Sequence, residues 1–389
     1  MTLRITWDEA SARRMERQFL AVPAPAGTPV AEVVGAMLGA HAQVLSAAEV
    51  SVGVRAEGVT RADVRAALWE ADRPLVKTYG PRGTVHLLPS AELPFWTAAL
   101  TAIPANPSQA ADVRLTAAQA DEVVAAIGDA LGGRCLTIDE LGDEVVARTG
   151  PWAGELVMPA FQGMWPRWRQ VMHRAGQRGA LCFAPNRGRK VTYTRPPRFE
   201  PLAPDEATAS ERGLALLVRR YLRAYGPATA PHFAKWAAAP RGWALSLFTS
   251  LAQAGEIEEV DFAGAPAWVA AGDTEFPGAP LRGVRLLPYF DAYGIAAQPR
   301  EVLFPGTAYE RALAGGQAGN YPVLLVDGVV AGVWHQRRRG RRTTVTVEPL
   351  GRLTARQERE LAGQVERVGE VLEAKPELVV GRVTVGGHA

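Results

Sequence analysis

Residues 178–195 read RGALCFAPNRGRKVTYTR. LCFA and KVTYT are short apolar and β-branched runs, and the NRGR between them is turn chemistry. The stretch therefore predicts two strands joined by a tight basic turn. Upstream, AAQADEVVAAIGDAL (117–131), TIDELGDEVVART (137–149) and the region around MPAFQGMWPRWRQVMHRAG (158–176) predict helices. Thr137 with Glu140 three residues on is a capping-box start. Helices followed by a hairpin are the grammar of a winged helix-turn-helix, in which a helix and the wing meet DNA.

The same grammar recurs on either side. Before it, DEASARRMERQFL (8–20), VAEVVGAMLGA (30–40) and RADVRAALWEA (61–71) predict helices, and TYGPRGTVHLLP (78–89) predicts strands. After it, SERGLALLVRRYLRAYG (210–226), TAPHFAKWAAA (229–239) and GWALSLFTSLAQAG (242–255) predict helices, and GEIEEVDFAGAPAWVAA (255–271) supplies the hairpin. Thr229 caps the second of these helices, with Pro231 in its first turn. The Pro-rich RPPRFEPLAPDE (195–206) marks a boundary. The expected class is α+β: three tandem winged helix-turn-helix units over 1–110, 111–200 and 201–280, then a β-rich part over 281–389.

In that last part VLLV and VVAGVW flank Asp327-Gly328, a two-residue hairpin turn. A second turn, RRRGRR (337–342), leads into TTVTVEPL and carries Arg337, Arg338, Arg339, Arg341 and Arg342. Such a cluster reads either as a solvated turn or as a hairpin that lies against a nucleic-acid groove, and its density favours the groove. ARQERELAGQVERVGEVLEA (355–374) is an amphipathic helix, and ELVVGRVTV (377–385) is a closing strand.

Composition narrows the function. The 389 residues are 48% apolar, enough for a large core, yet no run reaches the ~20 apolar residues of a membrane span. The start, MTLRITWDEA, lacks the pattern of a secretion signal, so a cytoplasmic protein without a membrane partner is expected. Cys135 and Cys182 are far apart and form no CxxC, which argues against a disulfide framework or zinc site. The 6 histidines, at 41, 86, 173, 232, 335 and 388, show no HxH or HxxxH spacing, so no metal and no metal hydrolase is expected. Net charge is +3 with a pI near 9.0, and the cations are nearly all arginine, the better fork for phosphate. Lysine is confined to Lys77, Lys190, Lys235 and Lys375, which leaves few Schiff-base candidates.

HAQVLSAAEVSVGVR (41–55) raises a separate question. On a helix, His41 and Gln43 would point about 200° apart. On extended chain they would share a face and reach one cleft. The other reading is a polar helix end, with His41 near the dipole and Gln43 in solvent.

Four stretches, LGAHAQVLSAAE (38–49), VKTYGPRGTVHLLP (76–89), LLPYFDAYGIA (286–296) and VLLVDGVVAGVWHQRRRGRRTTVTVEPL (323–350), resemble in order the winged-helix DNA glycosylases of the AlkZ/YcaQ type. The resemblance spans nearly the whole chain. It implies three tandem winged helices around a concave DNA channel and excision of bulky alkylated purines, including crosslinks. It also implies a catalytic Gln-x-Gln or Gln-x-Asp at the end of an early helix. Here the motif stands as His41-Ala42-Gln43, with His in the first place. Breaking an N-glycosidic bond passes through an oxocarbenium-like sugar. Gln43 would hold the attacking water and His41, at a reference pKa of about 6.5, would take its proton.

Asp291 is a further catalytic candidate, or else an acid paired with an arginine. His86 reads as a packed core histidine. Arg82, Arg187 and Arg189, in two of the wing turns, are candidate phosphate contacts. The expectation is a monofunctional, cofactor-free glycosylase, monomeric on double-stranded DNA, that leaves an abasic site. A winged-helix transcription regulator and a lapsed glycosylase are the competing readings.

Overall fold

A computed structural model describes residues 2–104, 109–160, 163–197, 199–313 and 316–385. The chain starts with β1 (Arg4–Ile5) and α1 (Trp7–Arg17), the latter opened by a capping box between Thr6 and Glu9. The first unit is α2 (Val30–Ala36), β2 (Ala40–His41), α3 (Leu45–Gly53), α4 (Arg61–Trp69), β3 (Leu75–Tyr79) and β4 (Val85–Pro89), with sheet order β2-β4-β3. After α5 (Leu93–Ala102), the second unit repeats the order. It has α6 (Ala117–Ala130), β5 (Leu136–Thr137), α7 (Ile138–Thr149), an inserted hairpin β6 (Leu156–Ala160) and β7 (Gly163–Pro166), then α8 (Met172–Gln177), β8 (Cys182–Arg187) and β9 (Lys190–Thr194). The third is α9 (Glu206–Tyr225), α10 (Ala230–Ala237), α11 (Arg241–Gln253), β10 (Ile257–Phe262) and β11 (Ala265–Ala270). Helix, short strand, two helices and a hairpin is the order that a winged helix-turn-helix prescribes. In the third unit a lone bridge, Ala228 to Trp268, stands in for the short strand.

Two expectations change. The apolar run over 158–166 predicts helix but forms the β6–β7 hairpin. Pro159 and Pro166 remove backbone donors and Gly163 takes φ +134°, so helical structure starts only after Pro166, as a 3-10 turn over Arg167–Val171 that leads into the α-helix at Met172. The N-terminal segment also leaves the first unit. β1 pairs in parallel with β10, and Ile5 and Ala10 pack with Val260, Phe262 and Val269 of the third.

The C-terminal part runs β12 (Val284–Leu287), the short helices α12 (Ala292–Ala296), α13 (Arg300–Leu303) and α14 (Thr307–Ala312), then β13 (Val323–Val326), β14 (Val329–Arg339), β15 (Arg342–Pro349), α15 (Ala355–Val371) and β16 (Lys375–Val380). Its five strands lie in chain order in one sheet, with β16 parallel to β15. The turn at Asp327-Gly328 has positive φ at both residues, as a tight hairpin requires.

The core explains why α3 sits where it does. One apolar cluster is continuous through all three units. A second joins Val50 and Val54 of α3 to the C-terminal sheet and to Leu361, Val365 and Val368 of α15. The two helices approach so closely that a Cβ on Gly53 would lie 2.5 Å from Val371. Arg367 of α15 donates to the carbonyls of Gly53, Ala56 and Val59, each at 2.7 Å, and so satisfies the open end of α3. The helix that follows His41 and Gln43 is thus clamped from both sides.

Candidate active site

Leu38 and Gly39 both take positive φ after α2 and end that helix. The chain then runs extended. His41 pairs with His86 of β4, and the Ala42 N–H donates to the Val85 carbonyl at 2.7 Å. His41 thus lies on extended chain and not at a helix end, and Gln43 follows at a bend. His41 is buried and Gln43 is exposed just before α3 begins.

The His41 imidazole lies against two rings. Phe290 stacks on it at 4.6 Å between centroids and 28° between planes, and His86 meets it edge-on at 5.1 Å. Its Nδ1 is buried with no hydrogen-bond partner among the described residues. Burial, and secondarily the positive charge of Arg82, lowers its pKa to about 3. The reference value of 6.5 therefore does not apply, and His41 is a neutral acceptor throughout ordinary pH. That corrects the reading of His41 as a base titrating near neutrality. A base of pKa near 3 is a poor proton sink at pH 7, but a neutral ring nitrogen still orients a water.

His86 is held well below its ordinary pKa by burial, with His41 and Arg82 adding to it. Its Nδ1 lies 2.9 Å from the Thr84 carbonyl, which can only accept, so neutral His86 carries its proton on Nδ1. It is the packed histidine that the sequence indicated.

Asp291 does not face the reacting groups. Its carboxylate takes bonds from Arg55 at 2.7 and 2.8 Å, from the Ser51 hydroxyl at 2.5 Å and from the Tyr293 N–H at 3.0 Å. Four donors thus converge on a carboxylate whose side chain is 1% exposed. The catalytic assignment from sequence gives way to the other reading, an acid paired with an arginine.

Arg82 is also reassigned. It sits at φ +62° in the β3–β4 turn and donates to the Trp236 carbonyl at 2.8 Å, in the last turn of α10. A cation there satisfies a helix C-terminus and joins the first wing to the third unit, a structural role that engages Nη1. Arg187 is exposed but bonds Glu140 and the Cys135 carbonyl, each at 2.8 Å. Arg189, in the same turn, is exposed. Arg337, Arg338, Arg339, Arg341 and Arg342 are all exposed around the β14–β15 turn, where Arg339 pairs with Arg342 across Gly340-Arg341.

Sequence reasoning missed Phe290, Ser51 and Arg55. Ser51 lies on α3 and Arg55 two residues past its end, and no local pattern marked either of them. Phe290 was legible only as the neighbour of Asp291. Among the described residues no three His, Cys, Asp or Glu side chains are grouped to hold a metal ion, and His388 lies outside them. No described helix is long and apolar enough to cross a membrane.

Comparison with known proteins gives a consistent picture. Residues 34–371 match the family described as DNA glycosylase AlkZ-like. An interstrand DNA cross-link repair glycosylase of Streptomyces sahachiroi is 33% identical over 344 residues, covering 85% of this chain and 88% of that protein. The solved structure of Streptomyces sahachiroi DNA glycosylase AlkZ aligns with a TM-score of 0.76 at 28% identity, over 97% of this chain and 100% of that one.

Proposed function

Since the chain belongs to the AlkZ-like DNA glycosylase family, we propose that it hydrolyses the N-glycosidic bond of N7-alkylated or bulky-adduct purines in double-stranded DNA, unhooks interstrand crosslinks and leaves an abasic site for base excision repair. The observation that carries this reading is a buried, neutral His41 on a short strand and, two residues on at a bend, an exposed Gln43.

The chemistry suits a neutral pair. A purine alkylated at N7 already carries positive charge and leaves without strong acid help. The sugar left behind develops positive charge, which a protonated imidazole would oppose and neutral dipoles do not. The Gln43 amide accepts from and donates to a water, and the neutral imidazole offers a second acceptor. Gln43 and the neighbouring Val44 are exposed, so a bulky or crosslinked base need not be wholly extruded into a closed pocket.

Lys77 is removed from this chemistry. It pairs with Leu87, one position along from the row of His41, His86 and Thr78, so it projects from the other face of the sheet. Its ammonium lies 4.7 Å from the Phe183 ring centre. Without a lysine beside His41, the enzyme stops at the abasic site and does not cut the strand. In this reading the winged units form a concave channel, the arginine hairpin lies along the minor groove and Arg189 meets phosphate. The enzyme acts as a monomer in the cytoplasm.

The test uses duplexes carrying N7-methylguanine or a nitrogen-mustard crosslink, incubated with enzyme and cut at abasic sites by mild alkali. Wild type is compared with His41→Ala and Gln43→Ala. Lesion-dependent cleavage lost in both variants supports the reading. Binding without base release from either duplex supports instead a DNA-binding regulator or a lapsed enzyme.

A further inference from the structure

His41 lacks the usual device for fixing an imidazole. In most working histidines a hydrogen bond at one ring nitrogen sets the plane in which the other points. Here Nδ1 is buried and has no partner among the described residues, so none of them sets the ring by a bond through that atom. Two rings lie against it, the flat face of Phe290 and the edge of His86.

Phe290 is itself held in place from three directions. It takes φ +56°, a left-handed conformation that bulky residues rarely adopt and that persists only where surroundings impose it. Its N–H donates to the Gly319 carbonyl at 3.0 Å. A Cβ on Gly319 would lie 3.0 Å from the Phe290 ring and 3.2 Å from its Cα, so the opposing chain fits closely only as glycine. The next residue, Asp291, is bound to Ser51 and Arg55. Those two belong to α3 and its C-terminal end, and α3 starts two residues after Gln43. One rigid helix therefore locates Gln43 at its start and Phe290, through Asp291, near its end.

We propose that Phe290 is a positioning residue for base excision: its ring fixes the plane of the His41 imidazole and covers one face of it against bulk solvent, leaving the ring edge to meet the attacking water, so that the C-terminal part of the chain completes a site begun in the first winged unit. This rests on the reading of His41 given above. The titratable or charged groups facing His41 are His86 from β4 and Arg82 from the β3–β4 turn, while Asp291, beside Phe290, is neutralised by Arg55. Removing the Phe290 ring opens that face of the imidazole to bulk solvent and frees its rotation.

The full chain, labelled at histidine, is studied by NMR titration beside single-turnover excision of N7-methylguanine and equilibrium binding of the same duplex. Variants are Phe290→Leu, Phe290→Tyr and His41→Ala. In Phe290→Leu, His41 is expected to begin titrating toward its ordinary value of about 6.5. Excision should fall about 100-fold, the scale of a ~1 Å misplacement, and gain a decline on the acid side, while duplex affinity stays within about twofold, below the tenfold of one lost interaction worth ~1.4 kcal/mol. Phe290→Tyr, which keeps the ring, should restore both readouts. Gly319→Ala, which displaces Phe290 without removing it, should shift them in the same direction and serves if Phe290→Leu does not fold. Wild-type excision and an untitrated His41 in Phe290→Leu and Gly319→Ala, with His41→Ala impaired, overturn the inference alone. Wild-type excision by His41→Ala overturns the reading on which it rests, and the inference with it.

Discussion

Asp291 closes on Arg55 through two bonds of 2.7 and 2.8 Å, with neither side chain more than 1% exposed. The residues are 236 apart in sequence, one at the end of α3 and the other at the start of α12. A buried pair of this kind is costly to break singly, because the remaining charge is stranded out of water, at about 3–5 kcal/mol. Asp291→Ala should therefore unfold at clearly lower urea. The double variant Arg55→Met, Asp291→Leu should lie nearer to wild type than the sum of the two single losses. A loss under ~1 kcal/mol in Asp291→Ala, the range of an exposed pair, would make that acid a catalytic candidate again.

Gln43 offers the opposite test. Its side chain is exposed, so Gln43→Ala should melt like wild type. If the amide holds the attacking water, single-turnover release of N7-methylguanine should fall by roughly 10²-fold or more, the scale of a positioned proton-transfer or water-orienting group. Unchanged release would remove Gln43 from the mechanism.

The arginine hairpin should act through charge and not through sequence. Arg339→Gln with Arg341→Gln removes two exposed cations at the β14–β15 turn. Duplex affinity should weaken similarly on damaged and undamaged DNA. The slope of log affinity against log salt should drop by about 0.9 for each phosphate that the variant no longer neutralises. Arg187→Gln should do less, because its guanidinium is already engaged by Glu140 and the Cys135 carbonyl. An unaltered salt slope in the double variant would make the hairpin a solvated turn.

The parts legible in sequence were those written locally. The capping box at Thr137, the helix start at Thr229 and the tight turn at Asp327-Gly328 involve residues one to four apart, and the structure contains each. α3 is not legible as a helix because its apolar residues surround it on all sides and show no amphipathic period. The β6–β7 hairpin is hidden inside a long apolar segment that reads either way. The reassigned site residues share one cause. Arg82 meets Trp236 from 154 residues away and Asp291 meets Arg55 from 236, so their fates are decided by tertiary contacts that no local pattern records.

Buried histidines make the last prediction, and its sign can be worked out. His41 is lowered to about 3, His232 to about 4, His86 well below 6.5, and His173 is lowered as well, in each case mainly by burial. In the unfolded chain each protonates near pH 6.5. Below that pH the unfolded state binds more protons than the folded one, so stability is fully present above about 6.5 and is lost as pH falls toward the folded values. Each such histidine contributes up to ~1.4 kcal/mol per pH unit in that window. Urea unfolding from pH 7.5 to 4.5 should therefore show a steep loss beginning near 6.5, above the range where carboxylates protonate. Excision should behave differently. With His41 neutral across the same range, the single-turnover rate of the folded enzyme should not fall between pH 8 and 5, measured at a temperature where the protein stays folded at both ends. A rate that halves near pH 6.5 would mean that His41 titrates as an ordinary histidine, and that its ring is bathed in bulk solvent in the working enzyme.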